Sequence, residues 1–124
     1  MGTTKTILLV EDDRALRSMV TKSLESNGYK VISAEDSVNA NDQTKRRWGI
    51  VDLILSDINL PGLTGGEYAD YLKAINPDLK IIYMSGAPVT DKAVQQHLHD
   101  QSATFLAKPF SLEEMNQAIR TALG

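Results

Sequence analysis

Five short apolar runs alternate along the chain with longer stretches whose apolar residues recur at helical spacing. The runs cover residues 6–10, 29–32, 51–56, 80–84 and 104–107. Short runs rich in β-branched residues between helical patterns are typical of buried parallel strands. Their regular alternation with helices predicts an α/β fold, in which a five-stranded parallel sheet carries five helices on its two faces. Right-handed crossovers between parallel strands are nearly obligatory, which leaves few topologies.

The predicted helices differ in how strongly the sequence specifies them. The first ends at Asn27-Gly28, and its apolar positions are Ala15, Leu16, Met19, Val20 and Leu24. The last is the clearest, because Ser111 and Glu114 form a capping-box pattern ahead of an apolar stripe of Leu112, Met115, Ile119 and Ala122. A further helix is predicted over residues 67–75. Polar sequence over residues 38–48 and 90–100 indicates helices with few buried contacts.

The composition indicates one globular domain. The chain has 124 residues, of which 42% are hydrophobic and 23% charged, and it is too short for two ordinary domains. We expect residues 6–124 to form this domain behind a flexible terminus of residues 1–5. A formal net charge of −3 gives no electrostatic footprint for nucleic acid or an anionic membrane. The absence of cysteine and of any apolar stretch of membrane-spanning length favours a cytoplasmic location.

Polar and charged residues follow the predicted strands at one end. Glu11 and Asp12 follow the first strand, Asp57 the third, Ser85 the fourth and Lys108 the fifth. In a parallel sheet these residues meet at the carboxyl edge, where open α/β sheets place their ligand sites. Carboxylates packed together are unfavourable unless a cation joins them. We therefore expect the function at this edge of the sheet.

The residue types at this edge suit a phosphoryl group beside a metal ion. Carboxylate oxygens are the preferred ligands of a hard divalent cation. Ser85 and Lys108 supply a hydrogen-bond donor and a cation for an anion with several oxygens, most simply a phosphoryl group. A carboxylate can also act as a nucleophile and form an aspartyl phosphate.

Four segments resemble, in order, the motifs of the receiver domain of two-component response regulators. They are LLVEDD at residues 8–13, LSDINLPG at 55–62, MSGA at 84–87 and FLAKPF at 105–110. The resemblance extends over about residues 6–123 and implies the flavodoxin-like strand order 2-1-3-4-5. It implies that residues 6–124 are a receiver domain, a phosphorylation-dependent signalling switch. Such a domain assists its own phosphorylation and dephosphorylation but is not an enzyme in the ordinary sense.

The resemblance also implies the reaction at the acidic residues. Asp57 would accept a phosphoryl group from a phosphohistidine of a sensor histidine kinase or a histidine phosphotransfer domain. The cofactor would be Mg²⁺, or Mn²⁺ in its place, bound by Asp12, Asp57 and the backbone carbonyl of Asn59. Glu11 would act on this ion through a metal-bound water.

The resemblance also implies which residues would contact the phosphoryl group and which would respond to it. Lys108 would pair with the phosphoryl oxygens, and Ser85 would hydrogen-bond them with help from the backbone N–H of Gly86. Phe105 would be the aromatic residue whose rotamer follows, and it stands where the family more often has Tyr. The surface that changes would be the face of the fourth helix, fifth strand and fifth helix, on which an output domain or partner would act.

Two other functions remain open from the residues themselves. One is an interaction module with an inactive receiver site, in which Asp12 or Asp13 merely caps the first helix and Asp57 is a turn residue. The intact set of acids, serine and lysine argues against it. The other is a phosphatase with an aspartyl intermediate. Such enzymes need a general acid two residues after the nucleophile, where this chain has Asn59.

Overall fold

The five predicted strands form one parallel sheet. The computed structural model describes residues 4–36, 39–40, 42–43, 51–57, 74–86 and 103–124. The strands are β1 (Thr6–Val10), β2 (Lys30–Ala34), β3 (Leu53–Asp57), β4 (Lys80–Ser85) and β5 (Ala103–Ala107). Their order in the sheet is β2-β1-β3-β4-β5, and every neighbouring pair is parallel. This confirms both the predicted fold class and the implied strand order.

The strand order creates a crevice at the carboxyl edge. After β1 the chain runs to β2 on one side, whereas β3 pairs with β1 on the other side. Because β2 lies on one side of β1, whereas β3 and β4 lie on the other, the strand order reverses between β1 and β3, as it does at the topological switch point of open α/β sheets. Glu11 and Asp57 lie at the borders of this crevice.

One face of the sheet packs against the two helices that are described in full. These are α1 (Arg14–Ser26) and α2 (Leu112–Leu123), which is the fifth helix predicted from the sequence. The strand residues on this face are Ile7, Leu9, Leu53, Leu55, Ile82, Met84 and Leu106. Helix α1 contributes Val20 and Leu24, and α2 contributes Met115 and Ile119, all of them buried. Full burial of such a side chain contributes about 1.5–3 kcal/mol.

The opposite face of the sheet carries a second apolar cluster. It consists of Leu8, Val10, Ile32, Ala34, Ala40, Val51, Ile54, Leu79, Ile81 and Tyr83, with Phe105 packed against it. The two clusters take alternate residues of each strand, because successive side chains of a strand point to opposite faces. Because both faces of the sheet are covered, successive residues of the inner strands are largely apolar, which accounts for the continuous apolar runs in the sequence.

Local capping interactions fix the ends of both helices. Asp13 is the N-cap of α1, and its side chain accepts a hydrogen bond of 3.0 Å from the backbone N–H of Leu16. The helix ends at Asn27, and Gly28 has a φ of 91°, a conformation that glycine adopts without strain. Helix α2 begins with the predicted capping box, in which Ser111 and Glu114 bond each other's backbone N–H.

Some sequence expectations differ from the structure in detail. Met19 is one of the apolar positions at helical spacing in α1, but it is 48% exposed, whereas Val20 and Leu24 are buried against the sheet. Strand β2 continues beyond the predicted end to Ala34, since it pairs with the whole length of β1.

Of the other three predicted helices, the second and third are described only in part and the fourth is not described at all. Residues 39–40, 42–43 and 74–75 are helical, the last pair at the predicted end of the third helix, before Asn76-Pro77. The fourth predicted helix, residues 90–100, lies outside the described residues, as do residues 1–3 of the N-terminus. Within the described ranges, no helix has both the length and the apolar character that crossing a membrane requires.

The capping box of α2 gives a direct test of this packing. We expect Ser111→Ala to lower the free energy of unfolding by about 1 kcal/mol, because the backbone N–H of Glu114 loses its acceptor, the Ser111 hydroxyl. Urea denaturation measures this change. Ser18→Ala, at an exposed position inside α1, is the matched control and should leave the stability within about 0.5 kcal/mol of the wild type. Equal effects of the two substitutions would contradict a capping role for Ser111.

Candidate functional site

The register of the sheet brings the predicted site residues to one edge. Val10 pairs with Ser56, so Glu11 and Asp57 follow at the same level on neighbouring strands. Asp57 pairs with Met84, which places Ser85 one residue further along β4. Ser85 pairs with Ala107, and Lys108 is the next residue. The acids, the serine and the lysine predicted from the sequence therefore lie together at the carboxyl edge.

Lys108 joins two of the acids. Its Nζ donates a hydrogen bond of 2.7 Å to Asp57 Oδ2 and bonds of 3.2 and 3.1 Å to Glu11 Oε1 and Oε2. The side chain of Glu11 is 1% exposed, that of Asp57 13% and that of Lys108 23%. Ion pairs removed from water in this way interact more strongly than surface pairs. The single positive charge of Lys108 thus offsets part of the negative charge that the sheet brings together at this edge.

Burial and charge shift the titration of this cluster. Burial raises the pKa of Glu11, and the attraction of Lys108 offsets only part of that increase. Burial lowers the pKa of Lys108, but the hydrogen bonds and charges of Asp57 and Glu11 outweigh it and raise the pKa overall. Lys108 therefore stays cationic at neutral pH.

The backbone around Glu11 is held on both sides. Its N–H donates to the carbonyl of Ala34, at 3.0 Å, and its carbonyl accepts from Arg17 Nη1, at 2.8 Å. The N–H of Asp13 also reaches Glu11 Oε1, at 3.4 Å. These contacts fix the start of the acidic segment against β2 and α1.

Three carboxylates are close enough to share a cation. Glu11, Asp12 and Asp57 each offer an oxygen, and these oxygens lie within 4.8 Å of one another. Mg²⁺ binds oxygen ligands at about 2.1 Å in an octahedron, so opposite ligands are about 4.2 Å apart. Asp12 is exposed, and Asp13 rather than Asp12 caps α1, which leaves Asp12 available to a cation. Both oxygens of Glu11 bond Lys108, which favours an indirect role for Glu11.

The residues predicted to contact a phosphoryl group lie beside this cluster. Ser85 is 5% exposed at the end of β4, and its carbonyl accepts a hydrogen bond of 2.8 Å from the backbone N–H of Lys108. Gly86 follows it and is exposed. Asn59, whose carbonyl was predicted to bind the metal, lies outside the described residues.

Phe105 packs against an aromatic partner on the next strand. It pairs in register with Tyr83, and the two ring centroids are 5.8 Å apart with the planes inclined by 34°. Phe105 is half-buried, whereas Tyr83 is 8% exposed. Aromatic pairs at this separation attract each other beyond their shared burial.

Three contacts of the site were not predicted from the sequence. The bond of Lys108 to Glu11 was missed because the lysine was assigned to the phosphoryl oxygens alone. The bond of Arg17 to the carbonyl of Glu11 spans six residues and follows no helical spacing rule. The pairing of Tyr83 with Phe105 could have been found by aligning β4 and β5 on Ser85 and Lys108.

The fold and the site together define a class of protein. A parallel five-stranded sheet in the order 2-1-3-4-5 carries an acidic cluster and a lysine at its carboxyl edge. The family model described as "Response regulator receiver domain" matches residues 7–120. The chain belongs to this family, and it is a receiver domain of the kind found in two-component signal transduction.

The curated relatives are longer proteins. The chain is 34% identical over 119 residues to the sensor kinase CckA of Brucella abortus, covering 95% of the chain and 12% of the relative. It is 35% identical over 122 residues to the DNA-binding transcriptional regulator NtrC of Azospirillum brasilense, covering 96% and 24%. The identity to the response regulator MprA of Mycobacterium leprae is 35% over 117 residues, covering 94% and 50%. The chain thus spans half or less of these relatives.

Solved structures of similar length share the whole fold. The chemotaxis response regulator CheY4 of Vibrio cholerae is 28% identical, with a TM-score of 0.78 and coverage of 98% of this chain and 100% of that one. The receiver domain of the hybrid histidine kinase CckA is 26% identical, with a TM-score of 0.76 and coverage of 96% and 99%.

Removal of the lysine charge tests its role as an internal counterion. We expect Lys108→Met to lower the free energy of unfolding at neutral pH by about 2–3 kcal/mol, because buried Glu11 then lies beside Asp57 without compensation. Chemical denaturation without added divalent cation measures the loss. Lys22→Met, at an exposed position of α1, should change the stability by less than about 0.5 kcal/mol. A loss no larger than that of the control would contradict the role.

The effect of Lys108→Met should depend on pH. Because the pKa of Lys108 is raised in the folded protein, its stabilisation is complete below the ordinary lysine value of about 10.4 and is lost as the pH rises through the raised value. At acid pH, Glu11 takes up its proton at a higher pH than an ordinary glutamate, because its pKa is also raised. We therefore expect the difference between wild type and variant to be greatest near neutrality. A difference that stays constant across the pH range would contradict this coupling.

Proposed function

We propose that this receiver domain is a cytoplasmic phosphorylation switch in which Asp57 accepts a phosphoryl group from a phosphohistidine. The donor is a sensor histidine kinase or a histidine phosphotransfer domain. The observation that carries the proposal is the contact of Lys108 with both Glu11 and Asp57 beside Asp12. A cation in contact with the acceptor, together with neighbouring acids, matches the needs of a phosphoryl group and its metal ion.

Asp57 supplies the nucleophile. A carboxylate oxygen of Asp57 forms the new P–O bond as the P–N bond of the phosphohistidine breaks, and the leaving nitrogen keeps the electron pair. The side chain of Asp57 is 13% exposed against 1% for Glu11, which favours Asp57 as the acceptor. Lys108, already 2.7 Å from Asp57, is placed to stabilise the charge on the transferred phosphoryl oxygens.

The acids at the crevice fit a divalent cation. We assign Asp12 and Asp57 as ligands, together with the backbone carbonyl of Asn59, and Glu11 as a residue that acts through a bound water. Mg²⁺, or Mn²⁺ in its place, would neutralise charge between the acceptor and the phosphoryl oxygens. The chain's own contribution is to gather the three carboxylates within 4.8 Å of one another and to fix the backbone of Glu11.

Ser85 and Phe105 would transmit the structural effect of phosphorylation from Asp57 to the surface of the domain. Ser85 would donate its hydroxyl hydrogen to a phosphoryl oxygen, with the backbone N–H of Gly86 assisting. Its carbonyl is bonded to the N–H of Lys108, so a shift of Ser85 moves the junction of β4 and β5. Phe105 lies on β5 three residues before Lys108 and would follow. The affected surface is the face of the fourth predicted helix, β5 and α2.

The relatives support the proposal that a further domain or a partner protein works together with this receiver domain. They are a sensor kinase, a DNA-binding transcriptional regulator and a response regulator, each at least twice the length that the match covers. We propose that an output domain or partner protein binds the face formed by the fourth predicted helix, β5 and α2. The domain itself contacts neither nucleic acid nor membrane.

Phosphorylation can be tested on the isolated chain. Incubation with Mg²⁺ and a small phosphodonor should add one HPO₃ unit to the intact mass. Asp57→Asn and a chelator should each abolish the gain, because one removes the nucleophile and the other the cation. Asp13→Asn is the matched control, since asparagine also caps helices well and the substitution leaves the acceptor in place.

Failure would point to a different function. No mass gain with a small phosphodonor or with a histidine-phosphorylated partner would favour an interaction module with an inactive site. Rapid turnover of the donor to free phosphate, with no phosphoprotein trapped by acid quenching, would favour an aspartyl-intermediate phosphatase.

Cation binding gives an independent prediction. A saturating divalent cation should stabilise the wild type, by about 2.7 kcal/mol at a concentration one hundred times its dissociation constant. Asp12→Asn and Asp57→Asn should lose most of this increase because each removes a ligand, whereas Asp13→Asn should keep it. Thermal unfolding with MgCl₂, and with KCl at matched ionic strength, measures the effect. Equal stabilisation of all four proteins would mean general screening rather than a site.

A further inference from the structure

We infer that Tyr83 is a positioning residue that couples Phe105 to the phosphorylation site. The inference rests on the proposed function and names a residue that the proposed mechanism does not use. Tyr83 lies on β4 two residues before Ser85, and Phe105 lies on β5 three residues before Lys108. The two rings are 5.8 Å apart on the same face of the sheet.

The first reason is that Phe105 has no hydroxyl. A tyrosine at this position could fix its ring through a hydrogen bond, but the place of a phenylalanine ring is set by packing alone. The neighbouring ring in the structure belongs to Tyr83, which is 8% exposed and part of the apolar cluster on this face. The ring of Tyr83 therefore forms the inner wall against which Phe105 packs.

The second reason is the register of β4 and β5. Tyr83 pairs directly with Phe105, Ser85 pairs with Ala107, and the backbone N–H of Lys108 donates to the carbonyl of Ser85. The aromatic pair thus sits on the same two strands as the two groups that would contact a phosphoryl oxygen. A displacement at Ser85 acts on both strands within two or three residues of the pair.

The third reason is that packed interiors change between discrete arrangements. Cores have few voids larger than a water molecule, so a ring at their edge cannot turn inward unless its neighbour yields. Small displacements at a site become larger rearrangements where two packings compete. The Tyr83–Phe105 pair joins a ring that is buried on an inner strand to a ring that is half-buried on the edge strand β5, so an inward turn of Phe105 must act on Tyr83.

A fluorine signal at position 105 tests the coupling. 4-Fluorophenylalanine is placed at this position alone by amber suppression, and its ¹⁹F resonance is followed as Mg²⁺ and beryllofluoride, a phosphoryl analogue, are added. We expect the resonance to shift in the wild type. In Tyr83→Leu and Tyr83→Met, which lack the ring, the shift should fall by at least about twofold. Tyr83→Phe restores the ring and should restore the shift.

Two controls separate positioning from folding and from chemistry. Tyr29→Leu removes a half-buried ring on the opposite face of the sheet and should leave the ¹⁹F shift intact. The mass gain at Asp57 should persist in every Tyr83 variant, because Tyr83 is not assigned a contact with the phosphoryl group. A loss of the ¹⁹F response with phosphorylation retained is a result that a merely structural role would not give.

The possible failures are distinguishable. A full ¹⁹F shift in Tyr83→Leu or Tyr83→Met overturns the inference, as does a Tyr83→Phe variant that responds no better than they do. A wild-type resonance that stays in place while the mass shows phosphorylation overturns the inference and leaves the proposed function intact. A wild type that gains no mass removes the proposed function, and the inference with it.

Discussion

The accumulation of carboxylates at one edge of the sheet is the constraint on which the rest of this domain depends. Parallel pairing of β1 with β3 brings Glu11 and Asp57 to the same level, and the residue after Glu11 is a further acid. Such a cluster is unfavourable without a cation. Lys108 provides one from within the chain, with bonds of 2.7 to 3.2 Å to two of the acids. The apo domain therefore carries its own counterion.

This arrangement makes the register of the sheet a condition for function. The acids come from β1 and β3 and the lysine from the end of β5, with β4 between. A slip of one residue in any strand would turn each of its side chains to the other face. The buried residues of the two apolar clusters oppose such a slip, most strongly in β1, β3 and β4, which have buried side chains on both faces. The same core residues that stabilise the sheet thus hold the site in place.

The features that could be predicted from the sequence are those that local residue patterns determine. The five strands, the capping box at Ser111 and the meeting of Glu11, Asp57 and Lys108 follow from periodicity, turn chemistry and parallel pairing. Helical spacing marks Met19 as an apolar position of α1, but it does not distinguish the buried Val20 and Leu24 from Met19, which is 48% exposed. Two contacts depend on how distant segments align: the pairing of Tyr83 with Phe105 and the hydrogen bond of Lys108 to Glu11. The periodicity of a single segment carries no information about this alignment.

The division of the core into two clusters has a consequence for how such a domain changes over time. Helices α1 and α2 pack on one face, while Tyr83 and Phe105 belong to the other. Substitutions of the buried helix residues Val20, Leu24, Met115 and Ile119 alter the scaffold on the face opposite to the aromatic pair. Substitutions on the opposite face alter the response and leave that scaffold standing. The stability of the domain and its response at the aromatic pair can therefore be adjusted separately, by different sets of residues.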